Sequence, residues 1–76
     1  MNNTRRKEIE KILTRLGDLK TDVETIYGEE EEYFENMPEN LVASDKGERA
    51  EEVVGLIDGA IMAFDEIEDA LTEAAN

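Results

Sequence analysis

From Ile9 onward the apolar residues keep a strict alternation of three- and four-residue steps through Ile12, Leu16, Leu19, Val23 and Ile26, and the same alternation continues over Glu30, Tyr33 and Met37. A spacing of this kind is a heptad seam, and it restricts the chain to helices that pack along their length. With Ile9 at position a, Leu16, Val23 and Met37 share that position, Ile12, Leu19, Ile26 and Tyr33 fall at d, and Leu13, Tyr27 and Phe34 widen the stripe at e. Glu30 interrupts the seam at an a position, where a carboxylate without a fixed cation opposes packing. A polar cap at Asn3 or Thr4 and the restriction that Pro38 places on Met37 predict a first helix over about 4–36.

The segment Met37-Pro38-Glu39-Asn40-Leu41-Val42-Ala43-Ser44 holds the chain's only proline and is the length of a loop between antiparallel helices. Ser44 is the expected cap of a second helix over about 45–74, whose seam runs Ala50, Val53, Ile57, Ala60, Phe64, Ile67, Leu71 and Ala74. The expected fold is therefore all-α, one domain made of an antiparallel, coiled-coil-like two-helix hairpin. The second helix is also apolar on both flanks, at Val54 and Ile61 on one and at Leu56, Ala63 and Ala70 on the other. One partner helix cannot cover so wide a stripe, which predicts a homodimer forming a four-helix bundle, with Val54, Leu56, Ile61, Ala63 and Phe64 at the interface. The Gly55/Gly59 pair could admit a close neighbour on the back of the second helix or simply be tolerated there.

The chain has neither cysteine nor histidine, so disulfides, thiolate zinc sites, a nucleophilic thiol and an imidazole base are all excluded. Carboxylate pairs such as Asp65 with Asp69 and Glu48 with Glu52 lack the Glu-x-x-His pattern of di-iron bundles, and there is no calcium loop. The reading is a non-enzymatic protein with no cofactor and no metal. No apolar run approaches the ~18 to 20 residues needed to span a bilayer, and the expected location is the cytoplasm.

Charge is unevenly distributed. Residues 1–20 contain six basic and three acidic residues, whereas residues 21–76 contain two basic and eighteen acidic. In an antiparallel hairpin Arg5, Arg6, Lys7, Lys11 and Arg15 lie beside Asp65, Glu66, Glu68, Asp69 and Glu73, and pairing between them is expected to help select the register. The loop end has no such compensation: Glu29, Glu31, Glu32 and Glu35 approach it and Glu48, Glu51 and Glu52 leave it. A net charge of −13 disfavours direct binding to nucleic acid or to an anionic membrane and points to a basic protein partner. A solvated acidic face is the plain alternative, since glutamates are good helix formers.

With Arg5-Arg6-Lys7 ahead of the Met37-Pro38-Glu39-Asn40-Leu41 loop, and with Ser44 and Ala50-Glu51-Glu52 behind it, the chain resembles a family of short acidic helical proteins encoded by phages and prophages, mostly of Gram-positive bacteria. The resemblance covers nearly the whole chain and carries no active residues. It implies a host-cytoplasm setting in which small acidic phage proteins act as inhibitors, occupying the nucleic-acid groove of host defence or processing enzymes. Two readings follow: an acidic inhibitor or adaptor that docks through Glu29, Glu31, Glu32, Glu35, Glu48, Glu51 and Glu52 on a basic nucleic-acid-binding host protein, or a structural module acting through helix–helix contacts alone, which Ile61→Asp would break.

Overall fold

A computed structural model describes all 76 residues as three helices and no strand: α1 (Asn3–Glu35), α2 (Glu39–Val42) and α3 (Asp45–Ala75). The hydroxyl-free cap of α1 is Asn2, whose side-chain oxygen accepts the Arg5 amide at 2.8 Å. After Glu35 the chain turns through Asn36 and Met37, and Pro38 opens the single turn of α2 by accepting the Leu41 and Val42 amides at 2.9 and 3.1 Å. Ser44 then caps α3: its hydroxyl donates to the Leu41 carbonyl and accepts a long 3.5 Å bond from the Gly47 amide. Gly47 is one of only two buried residues because the end of α2 rests on it. A Cβ there would overlap the carbonyls of Leu41 and Val42, so the absent side chain is what lets α2 pack against α3.

The helices α1 and α3 lie antiparallel in a rod of 58 × 15 × 12 Å. Its radius of gyration is 17.3 Å, against about 11 Å for a compact globule of this length. Such a shape has little interior. Ala50 is the only buried apolar residue, and every other member of the packing seam is half-buried at best.

Which residues form that seam differs from the expected a and d positions. On α1 the seam runs through half-buried Arg6, Ile9, Leu13, Leu16, Lys20, Val23, Tyr27, Glu30 and Phe34, and on α3 through buried Ala50 and half-buried Val54, Ile57, Ile61, Phe64, Glu68, Leu71 and Ala75, with Gly17, Glu31 and Asp58 half-buried beside it at b positions. The seam residues are a and e positions, with Ala50 taken as a on α3. The d positions Ile12, Leu19, Ile26, Tyr33, Ala60, Ile67 and Ala74 are exposed, and only Val53 among them is half-buried. The difference is a rotation of each helix about its axis. A stripe with apolar residues on both sides of position a satisfies three-four alternation equally well through d or through e, so periodicity does not select the flank. Val54, Ile61 and Phe64, expected at a dimer interface, thereby lie on the hairpin's own seam. Ile61→Asp would break the hairpin rather than test contacts with another molecule.

The rotation also decides which charges meet. Of the expected cross-helix pairs none forms, because Arg5, Lys7, Lys11 and Arg15 sit at d, f, c and g, turned away from the a/e seam. The two cations at e positions do reach α3. Arg6 donates its Nε to the Ala75 carbonyl at 3.0 Å, satisfying a group at the C-terminal end of α3, and Lys20 forms an ion pair with Asp65. Both links hold the register, and near the loop end Tyr27 and Asp58 are close enough for the carboxylate to influence the phenol.

Two of these groups titrate together with folding. The hydrogen bond to Asp65 raises the Lys20 pKa above 10.5, helped by the nearby Asp65, Glu68 and Glu24 charges against a partial loss of water. The hydrogen bond that the Tyr27 hydroxyl donates to Glu31 at 2.9 Å, together with that carboxylate's charge, raises the phenol above 10.0. In both cases the folded chain holds its proton more tightly than the unfolded chain, so the stabilisation is complete below pH 10 and is lost as pH rises through the raised values. The thermal midpoint is expected to fall as the pH rises above about 10, and the Lys20→Met/Tyr27→Phe double variant should flatten that fall. An equally steep fall in the double variant would remove these two groups as its cause.

Candidate functional site

The acidic end is built by helix register and proximity to the turn. Residues 21–60, which form the loop half of the rod, hold two basic and thirteen acidic residues, a balance of −11; residues 1–20 and 61–76 hold six basic and eight acidic, a balance of −2. One of the two cations in the loop half is already engaged, since Arg49 pairs with Glu52 one turn along α3 at 3.3 Å. Glu30, at an a position of α1, is half-buried and has no ion-pair partner.

The seven glutamates expected to act together divide into two sets. Glu31 and Glu35 on α1 and Glu48 and Glu51 on α3 occupy b and f positions, which an antiparallel pair turns to one common face. Glu35, Glu48 and Glu51 are exposed there, and Glu31 is half-buried beneath the Tyr27 hydroxyl. Glu29, Glu32 and Glu52 lie at g and c positions on the outer edges instead. Glu29 and Glu32 join Tyr33, Met37, Leu41 and Lys46 around an open cleft of about 460 Å³ beside the loop. Such an end can present carboxylates to cations, and no group of Asp or Glu is arranged to hold a metal ion.

Opposite the glutamate face lies an apolar band, bordered on α1 by the charged g positions Glu8, Arg15, Asp22 and Glu29. Ile12, Leu19, Ile26 and Tyr33 stand in a row on α1, and Val53, Leu56, Ala60, Ala63, Ile67, Ala70 and Ala74 form a second three-four stripe along the d and g positions of α3. Leu56 is 61% exposed and Leu19 52%, large values for leucines on regular helices. Of the five residues expected at a dimer interface, Leu56 and Ala63 belong to this open face. The stripe was legible as the second flank of a wide seam; what sequence reasoning missed was that it stays open. Gly55 and Gly59 fall on the other side of α3, and nothing in the hairpin lies within 4 Å of where their side chains would be.

No helix is long and apolar enough to cross a membrane. No protein-family model, no curated protein and no solved structure matches the chain.

Proposed function

We propose that this chain is a non-enzymatic, acidic protein-binding module, a phage-type inhibitor or adaptor whose loop end docks on the basic surface of a nucleic-acid-binding host protein. The observation that carries the reading is the −11 balance of the loop half, with Glu31, Glu35, Glu48 and Glu51 on one face and only Lys46 and Arg49 to offset them. Glutamates one turn apart rise about 6 Å along a helix, so such a face offers a row of anions to lysines and arginines that otherwise hold phosphates. The hairpin acts as half of a four-helix bundle completed by a second copy, since a rod with one buried apolar residue has not closed its core.

The test compares the tagged protein with its Glu31→Gln/Glu35→Gln/Glu48→Gln/Glu51→Gln variant in affinity capture from host lysate at low and moderate salt. Four surface charge contacts together are worth about 2 kcal/mol, so recovery of a nucleic-acid-binding protein should fall roughly thirtyfold in the variant. The captured protein should also elute on raising the salt. A second variant, Glu66→Gln/Asp69→Asn/Glu73→Gln at the opposite end, should bind as the wild type does. Capture that ignores both salt and the loop-end substitutions would reject the docking reading and leave helix–helix contact as the module's only activity.

A further inference from the structure

Building on the two-copy reading above, the geometry points to a specific arrangement: the second copy packs on the apolar face made by the d positions of α1 and the d and g positions of α3, with its loop at the opposite end of the rod, so the bundle carries one acidic end at each pole. The first argument is which flank the hairpin leaves open. The e flank that it packs inward contains Arg6, Lys20 and Glu68, whereas the d flank that it exposes contains no charged residue on either helix between Ile12 and Ala74 except Lys46 beside the loop. A hairpin alone would gain by turning the more apolar flank inward. A hairpin in a bundle puts its most apolar flank at the centre of four helices and uses the mixed flank, with its Lys20–Asp65 ion pair, between two.

The second argument is geometric. An antiparallel pair has a local twofold axis perpendicular to its plane, so the d positions of α1 and α3 fall on the same side of it. The Arg6–Ala75 and Lys20–Asp65 links fix the register. At that register Leu19 is level with Ile67 and Ile26 with Ala60. The open residues therefore form one continuous face rather than two separate stripes. Two clefts of the hairpin border it, one lined by Ile12, Arg15, Leu16 and Leu19 and the other by Tyr33 and its neighbours at the loop. A face roughly 58 Å by 15 Å is on the order of 800 Å², the contribution of each partner to a stable specific interface.

Charge selects the orientation. With both loops at one end, two halves of −11 would lie side by side; with loops at opposite ends, each −11 half lies over a half of −2. In this second arrangement α1 packs on the partner's α1, which brings the g-position Arg15 toward the partner's Glu29. The alanine-rich stripe of α3 meets its own copy about Ala63, near the middle of the stripe, where small side chains allow a close approach. The consequence is a bivalent rod that presents acidic ends about 58 Å apart, able to engage two basic surfaces rather than one.

The absence of native cysteine makes the test direct. A spin label on Asn40→Cys, in the loop, reads the distance between the two loops of the dimer. Loops at opposite poles should give a distance close to the 58 Å length, and loops at one pole a distance within the width of a bundle, about 20 Å. The short distance in a dimer would overturn the orientation while leaving the two-copy reading intact; a monomer by sedimentation at the same concentration would overturn both. The face is tested separately. Ile26→Asp and Leu56→Asp should each abolish the dimer, and Met62→Asp, equally exposed but on the opposite side, should retain it. Loss of the dimer in Met62→Asp alone would place the interface on the other face. Should the aspartate variants unfold, the label distance in the otherwise unaltered chain still decides the orientation.

Discussion

Replacing Gly47 with alanine is expected to destabilise the protein by about 2 kcal/mol and to lower its thermal midpoint by roughly 10 °C. Two effects oppose one another at this position. Alanine is the better helix former by about 1 kcal/mol, and Gly47 lies inside α3. Its Cβ, however, would occupy the space held by the carbonyls of Leu41 and Val42. Those are backbone atoms, unable to swing aside as the end of a side chain would, so α2 must lift away from α3. Lifting α2 also disrupts the turn at Leu41, whose carbonyl accepts both the amide and the hydroxyl of Ser44. Overpacking of this kind costs about 3 kcal/mol and outweighs the propensity gain. At Gly17, Gly28, Gly55 and Gly59 nothing lies within 4 Å of the added methyl, and there alanine should stabilise by about 0.5 to 1 kcal/mol each. Thermal melts of the five single variants check the contrast. A stabilised Gly47→Ala would mean that α2 does not rest on α3.

The thermal midpoint is also expected to rise with protein concentration, by about 4 to 5 °C for each tenfold increase. The argument begins with burial: an isolated rod in which only Gly47 and Ala50 are buried has almost no apolar interior to offset the chain entropy lost in ordering two long helices. If association supplies the missing burial, folding and dimerisation are one equilibrium, and each tenfold in concentration adds about 1.4 kcal/mol to the dimer. Spread over the unfolding entropy of two chains, that gives the stated shift. Circular dichroism melts across two decades of concentration measure it. A midpoint independent of concentration would show that the hairpin is stable alone, and it would remove the support that the open apolar face lends to the bundle.

Glu30 illustrates how far single residues could be read in advance. Its place at an a position marked it as a carboxylate facing the packing seam, and the structure finds it half-buried without an ion-pair partner. Position a belongs to the seam whether the second flank is d or e, so this inference survived the rotation. Leu19 and Ile26 show the opposite case. Their spacing marked them as seam residues, and the rotation of α1 leaves both exposed. The acidic end divides in the same way: its residues and its charge balance follow from composition and from position near the turn, but the separation of Glu31, Glu35, Glu48 and Glu51 from Glu29, Glu32 and Glu52 depends on which flank faces inward.

The amino-acid sequence by itself determined the two long helices, the turn between them and the concentration of negative charge at the loop end, because each depends on local spacing, capping chemistry and composition. Tertiary structure alone decided the rest. Rotation of each helix about its axis is set by the summed packing of both flanks against a partner, and two flanks with the same three-four period satisfy the local rules equally. That rotation chose Arg6 and Lys20 over the four other cations of α1 as the residues that reach α3, and it left an apolar face open on the side away from the b/f glutamates. The docking of α2 on Gly47 is likewise tertiary, since the approach of its carbonyls depends on the path of the turn and leaves no mark in the periodicity of either helix.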